Sequence, residues 1–534
     1  MSDIKIALIR LKILFLLIIV IFFCISLRMV YIVIAHDSAN IKNIYDDRKN
    51  SRRADIFDRN GVLLATDLKT KSLYVSSVLV RNPKAVAKAL ADSFSDLKYE
   101  EVLKKIIDGK NSKHWILIRR NLTPNQVNKV KNLQIAGLIF DEDLIRVYPQ
   151  KSIASHYVGF VDLDRKGLSG IEMQYDRKLM MNETMKLAMD VRIQDILYDE
   201  LVKAKDEFRA KMASGIILDV NNGEVLAMAS LPSFDANNQS EFNAEHRFNM
   251  ITGGSYELGS VMKIFTNAAA FEHDLIKMED VFAVGEPIKY GRFSISDHDK
   301  HEDIMNVKKI FTESSNIGTI KIAEKLGIYN QKEFLSRFGF LKKVEAEFPG
   351  LSRPIFPKNW RDINLFTISF GHGLAATPLH LALATAAVVN GGYLYKPSFL
   401  KLEEQPELPK KLIKDSTTEN MKKMLRAVVE EGTGKYANIE GYEVAGKTGT
   451  ADRAESGGYN EGQTLASFVG VFPISQPRYL IYLVFDRPNY IFNTAGMVAA
   501  PATGRVIKNI APLLSINVKN IGAATKLKSN IEKF

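Results

Sequence analysis

The chain has 534 residues, 46% hydrophobic and 25% charged, with a formal net charge of +11. That length exceeds one typical domain and that composition argues against extended disorder, so two or three globular units are expected. The charge suits nucleic acid or an anionic surface, but no basic run is interleaved with aromatics, which leaves a membrane or cell wall as the better reading.

In chain order, residues 1–12 form a short tail carrying Lys5, Arg10 and Lys12. Residues 13–34 are apolar and broken by charge only at Arg28, long enough for one transmembrane helix at about 1.5 Å per residue. Arg28 can snorkel from the outer end. A cleaved signal peptide is the alternative, but no small-x-small site follows. The flanking charges tie, with Lys5, Arg10 and Lys12 set against Lys42, Arg48 and Lys49. The shortness of the tail favours a cytoplasmic amino terminus, with the remainder exported. Cys24 is the single cysteine, so the chain can form no intramolecular disulfide and no two-cysteine zinc site.

Residues 39–189 are mixed and turn-rich, with Asp58-Arg59-Asn60-Gly61 as a turn signal. Val191, Ile193, Ile196, Leu197 and Leu201 have helical spacing across residues 190–205, and a domain boundary is expected near residue 190. Residues 214–220 and 224–230 read as strands joined by Asn221-Asn222-Gly223, a strong hairpin signal. Residues 466–472 and 479–485 form a second pair, and a strand over 443–451 is expected to join it. Helical stretches, including the alanine-rich 379–389, lie between the hairpins. A sheet built from the first and last segments, with helices inserted between, is an α+β fold. The second unit is taken as 190–515, followed by a basic tail over 516–534.

The chemistry concentrates in Tyr256-Glu-Leu-Gly-Ser-Val-Met-Lys263. Gly259 breaks the preceding segment and a helical pattern follows, which puts Ser260 at a helix start with Lys263 one turn later on the same face. A serine hydroxyl needs an adjacent base, and a lysine serves only when neutral, which burial or a second cation promotes. Alone this spacing is weak, since Ser2/Lys5, Ser95/Lys98 and Ser398/Lys401 share it. Ser314-Ser315-Asn316 follows, although Ser-x-Asn also begins at Ser38 and Ser515. Lys447-Thr448-Gly449-Thr450 holds the one Lys-Thr-Gly of the chain, on an expected strand where Gly449 would let a substrate backbone approach.

This ordered trio resembles the penicillin-recognising serine transferases and hydrolases. Gly432-Thr-Gly434, Gly371-His-Gly-Leu-Ala-Ala-Thr-Pro378 and Leu226-Ala-Met-Ala-Ser-Leu-Pro-Ser233 resemble class B penicillin-binding proteins. Arg53-Ala-Asp-Ile-Phe-Asp-Arg-Asn-Gly61, Arg146-Val-Tyr-Pro149, Gly159 and Gly170-Ile-Glu172 resemble that family's pedestal, of the division (septal) type rather than the elongation type. The resemblance implies a penicillin-binding transpeptidase domain after a mixed pedestal (dimerisation-type) domain at 39–189. It implies that Ser260 attacks the penultimate D-alanine of a peptidoglycan stem peptide and Lys263 takes its proton. Ser314 would relay a proton to the leaving amine, and Asn316 would bind the substrate amide and orient Lys263. Lys447 would lower the Lys263 pKa and attract the terminal carboxylate, which Thr448 and Thr450 would hold. Backbone N–H groups of Ser260 and Thr450 would form the oxyanion hole. Implied partners are beta-lactam antibiotics, a membrane-embedded glycan polymerase and division proteins at the bacterial inner membrane; no cofactor is implied.

Leu258 stands where that family usually has proline, Ala54 where it often has glycine, and His372 and His380 where it often has glutamine. Leu258 is expected to loosen the approach to Ser260. Residues 297–303 hold Asp297, His298, Asp299, His301, Glu302 and Asp303, a surface loop rather than a metal site because no regular framework fixes the ligands. Two alternatives stay open: a hydrolase of the same fold (a beta-lactamase or D,D-carboxypeptidase) and a non-enzymatic penicillin sensor. The membrane helix and pedestal weigh against the first, and the complete trio against the second.

Overall fold

The structure is a computed structural model that describes residues 2–35, 52–76, 78–109, 115–240, 243–291, 293–455, 458–489, 494–516 and 518. Residues 39–51 and nearly all of 516–534 therefore lie outside the described residues. Helix α1 (Ser2–Ala35) includes a stretch from Arg10 to Arg28 with a mean hydropathy of 2.6 and none of it buried. These 19 residues rise about 28 Å, close to the thickness of a bilayer's hydrocarbon core. Among the described residues it is the one helix long and apolar enough to cross a membrane.

The chain forms two compact units. The first takes Met1–Arg53, Asp67–Ile145 and Leu163–Arg165, and the second takes Ala54–Thr66, Arg146–Asp162 and everything from Lys166 on. By contacts, several segments that precede residue 190 group with the second unit. Side-chain chemistry explains why early residues join the second unit. The Asp58 carboxylate closes its own turn by accepting N–H groups of Asn60 and Val62, both at 2.8 Å, and also takes the N–H of Val191 at 3.1 Å. Arg146 meets Glu172 at 2.7 Å with both side chains buried.

In the first unit, β1 (Leu63–Val75) contributes its later residues to a small sheet. Helices α2 (Pro83–Ser93) and α3 (Tyr99–Asp108) follow. Strand β2 (Ile116–Leu122) pairs antiparallel with β1, as at Lys71↔Leu122. Helix α4 (Pro124–Lys131) starts with a capping box from Thr123 to Gln126 and proline in its first turn. Strand β3 (Leu138–Val147) also pairs with β1. Leu73, Val86, Leu90, Ile106, Ile118 and Val130 form the core between sheet and helices.

The second unit is organised by one antiparallel sheet. Helix α5 (Val191–Glu207) precedes the hairpin of β4 (Met212–Asp219) and β5 (Val225–Leu231). Then come α6 (Lys263–Glu272), α7 (Asn316–Arg337), α8 (Pro378–Val389) and α9 (Asp415–Glu430). Strands β6 (Ala445–Glu455), β7 (Gly458–Phe472) and β8 (Tyr479–Asp486) and helix α10 (Ala495–Ile510) complete it. The strand order is β6-β7-β8-β4-β5, so the first hairpin and the last three strands share one sheet, as the α+β reading expects. Strand side chains alternate between two cores. Ala213 and Ile217 pack with Leu197, Leu201, Val498 and Ile507 of α5 and α10, whereas Ile216, Tyr482 and Val484 pack with Phe265, Leu379 and Met421 of α6, α8 and α9. With helices on both faces, every residue of β8 is buried. Strand β6 ends the sheet, pairing with β7 on one side, and it carries the Lys-Thr-Gly motif.

Candidate active site

Ser260 lies in a single 3-10 turn, Gly259–Met262, which runs straight into α6 at Lys263. The expected helix start is there, but its first turn is tighter than an α-helix. With three residues per turn, positions i and i+3 stack, so Ser260 sits above Lys263. Two close backbone approaches clamp this turn. Gly259 has φ +61, and a Cβ there would lie 2.4 Å from the Thr450 carbonyl oxygen. A Cβ on Gly371 would lie 1.9 Å from the Gly259 carbonyl oxygen, and the Gly259 N–H donates to the Gly371 oxygen at 3.2 Å. Leu258 is only 1% exposed and packs in the main core, so it fixes the turn from below.

Four polar side chains converge under the turn: Lys263, Ser314, Asn316 and Lys447. The Lys263 Nζ donates to the Ser314 carbonyl oxygen at 2.5 Å, the Ser314 Oγ at 3.1 Å and the Asn316 Oδ1 at 2.8 Å. The Lys447 Nζ donates to the same Ser314 Oγ at 2.9 Å and to the Thr448 carbonyl at 3.3 Å. Ser314 reaches this position with φ +62, a left-handed backbone that side chains other than glycine rarely adopt. Both lysines are fully buried. Burial lowers the Lys263 pKa to about 7, opposed by the Asp297 carboxylate. Lys447 is pushed well below the ordinary lysine range, first by burial and then by the charge of Lys263. The sequence reading names burial and a second cation as causes of a lowered Lys263 pKa, and the resemblance makes Lys447 that cation. In the structure burial is the cause that lowers Lys263, and the charge effect falls on Lys447.

Asp297 is the group that sequence reasoning missed. Its carboxylate accepts the Ser315 hydroxyl at 2.6 Å, the Asn316 N–H and the Ile317 N–H at 3.0 Å. It thereby satisfies otherwise unpaired N–H groups at the start of α7 and complements the positive end of that helix. No local spacing rule finds it, because Ser315 is 18 residues further along. His301 bonds Glu313 at 2.9 Å and lies 3.8 Å from Asp297. The charged stretch is therefore partly structural, and among the described residues no group of three or more such side chains is placed to hold a metal ion.

Ser260, Ser314, Asn316, Thr448 and Thr450 line one cavity of about 730 Å³, together with Thr433, His372, Asp452, His298 and Tyr436. The Thr433 and Thr448 hydroxyls lie 2.6 Å apart, and the Ala495 N–H donates to the Thr450 hydroxyl at 3.2 Å. Lys263 and Lys447 meet this cavity through Ser314. Gly449 faces the other way: a Cβ there would lie 2.7 Å from the Ser467 Oγ and 2.8 Å from Val261. The glycine accommodates the protein's own turn behind the strand. His380, one of the departures, caps α8 with Thr377 and bonds the Lys342 carbonyl at 3.0 Å, outside the cavity.

Residues 213–509 match the family described as penicillin binding protein transpeptidase domain, and residues 48–186 match the penicillin-binding protein dimerisation domain. The chain belongs to the penicillin-binding protein family. Joining these two domains places it in class B, as an enzyme of transpeptidase type. It is 35% identical over 488 residues to a probable peptidoglycan D,D-transpeptidase FtsI of Caulobacter vibrioides, covering 88% of this chain and 82% of that protein. It is 30% identical over 526 residues to the stage V sporulation protein D of Bacillus subtilis, covering 90% and 80%. It is 26% identical over 511 residues to the peptidoglycan D,D-transpeptidase FtsI of Escherichia coli, covering 89% and 86%. The crystal structure of a peptidoglycan synthetase from Bifidobacterium adolescentis shares the fold, with a TM-score of 0.70, 19% identity, and coverage of 88% of this chain and 97% of that one.

Proposed function

We propose that this penicillin-binding protein cross-links peptidoglycan stem peptides through an acyl-enzyme on Ser260, in septal wall synthesis. The observation that carries the reading is the buried Lys263, with a pKa of about 7, stacked under the cavity-lining Ser260 and bonded to Ser314 and Asn316. A lysine of that basicity is substantially neutral near neutral pH and can accept the proton of a serine hydroxyl. Ser260 Oγ attacks the carbonyl of the penultimate D-alanine, and its proton passes to Lys263 Nζ. The proton travels through the Ser314 hydroxyl to the departing nitrogen of the terminal D-alanine, and Asn316 holds Lys263 in line. N–H groups of Ser260 and Thr450 receive the oxyanion, a contribution commonly worth about 3–4 kcal/mol. Thr448 and Thr450 hold the terminal carboxylate, with Lys447 beneath and Gly449 keeping strand and turn close. An amine of a second stem peptide then takes the acyl group. A beta-lactam acylates the same serine.

The septal assignment draws on the likeness to two proteins named FtsI and on the stretch from Arg53 to Gly61. In this reading 1–12 lies in the cytoplasm, 13–34 crosses the inner membrane, 39–189 is the pedestal that meets a membrane-embedded glycan polymerase and division proteins, 190–515 is catalytic, and 516–534 is a basic tail. Purified full-length enzyme, given a D-alanyl-D-alanine donor and an amine acceptor, should yield the cross-linked product by mass spectrometry. Release of hydrolysed donor alone would contradict the transferase role. Depletion in the cell should give filaments with blocked septa; swollen, undivided-length cells would instead assign it to elongation.

A further inference from the structure

The cavity is polar in the electrical sense along a single strand. Thr448, Thr450 and Asp452 of β6 all line it. Alternate residues of a strand share a face and lie roughly 7 Å apart, so Thr448 and Asp452 are separated by about 14 Å. The Thr448 end has two hydroxyls, Thr433 and Thr448, over the amine of Lys447. The other end has a carboxylate on Asp452 and the ring of His372. The His372 imidazole is held by the loop that clamps the nucleophile turn: Gly371 abuts Gly259, and the His372 N–H donates to the Thr367 oxygen at 2.9 Å. Its ring packs 5.3 Å from Phe370. Glu257, fixed by the Gly373 N–H at 2.7 Å, adds a second carboxylate next to this loop.

We propose that the Asp452–His372 end of the cavity is the subsite that receives the acceptor substrate, recognising it as a primary ammonium group. The proposal rests on the transpeptidase reading above and names where its second substrate enters. A free primary amine is protonated in neutral water. Lys447 lies under the Thr448 end, whereas the carboxylates of Asp452 and Glu257 act at the His372 end, where Lys263 acts as well; Asp299 and Glu313 also line the cavity. The charged groups acting on His372 are Glu257 and Asp452, which favour its protonation, and Lys263, which opposes it. Burial outweighs them and lowers the His372 pKa, which leaves a neutral ring nitrogen able to accept a hydrogen bond from the ammonium. The acceptor is thereby held beside the Ser260 ester once the terminal D-alanine and its carboxylate have left the Thr448 end; the ammonium gives one proton to the neutral His372 ring, and the freed amine attacks the ester while Lys263 carries its second proton to the departing Ser260 Oγ.

The test uses full-length enzyme in detergent, a fixed concentration of D-alanyl-D-alanine donor peptide, and a lysine-bearing peptide as acceptor. Asp452→Asn and His372→Ala should each raise the acceptor KM roughly tenfold or more and turn product from transfer toward hydrolysis. His372→Gln, which keeps an acceptor atom, should recover part of the loss. Labelled penicillin, which needs no acceptor, should still acylate Ser260 in each variant and so report a folded site. An unchanged acceptor KM in both variants overturns the proposal. So does a rise on Asp299→Asn in their place, which would move the subsite to that other carboxylate of the cavity lining. Parallel loss of penicillin acylation and transfer also overturns it, by assigning these residues to the donor step. Failure of wild-type enzyme to acylate at all would instead remove the Ser260 reading itself.

Discussion

Ser314 holds a left-handed backbone that costs a side-chain-bearing residue about 1–2 kcal/mol. What the conformation achieves is visible in the bonds: one hydroxyl lies within reach of both buried amines. Ser314→Ala should leave the turn in place yet slow acylation by labelled penicillin roughly 100-fold or more, as for loss of a proton-relay group. Asp297 gives a second test with a defined sign. Its negative charge holds the Lys263 pKa up against burial. Acylation needs neutral Lys263 and so rises as pH passes that pKa. Asp297→Asn removes the opposing charge, so the rising limb of the acylation–pH profile should move to lower pH. A limb that stays or moves to higher pH would contradict this link. At this scale the motif residues were legible because each belongs to a short, ordered pattern. Asp297 was not, because it acts on a helix start 18 to 20 residues away through a loop that reads only as charged surface.

The element that positions the nucleophile is the 3-10 turn between β6 and the Gly371 loop. Gly259→Ala would force a Cβ toward the Thr450 carbonyl and impose a left-handed conformation on alanine. It should lower the melting temperature and abolish acylation together, since the same turn carries Ser260. The buried Arg146–Glu172 pair is a separate element-scale anchor, with a further bond from the Tyr148 hydroxyl to Glu172 at 3.4 Å. Glu172→Gln leaves a buried guanidinium without its counter-charge and should cost about 3–5 kcal/mol, read from denaturant unfolding. The hairpins and α5 were legible because alternation and helical spacing report burial directly. The ion pair was not, because a resemblance to known motifs flags Arg146 and Glu172 without saying that they touch. Gly449 shows the same limit: the sequence marks a glycine on a strand, but only the packing of Ser467 and Val261 shows which neighbour requires it.

For the molecule as a whole, stability should depend on acidity through His156. This ring is buried, bonded through Nε2 to the His246 carbonyl at 2.9 Å, and set edge-on to Phe234. Burial lowers its pKa to about 4 from an ordinary 6.5. The unfolded chain therefore binds a proton below pH 6.5 that the folded chain refuses, and stability falls as pH drops from 6.5 toward 4, by about 3 kcal/mol for this one group. His156→Asn should flatten unfolding free energy against pH across that window. Helix α1, long and apolar enough to cross a membrane, extends the account to a bilayer. Ser260 is tested most directly by labelling full-length protein with a fluorescent penicillin and mapping the adduct by peptide mass spectrometry. The account predicts one penicilloyl group on Ser260, absent from Ser260→Ala; an adduct on any other serine, or an equal yield from the variant, would contradict it.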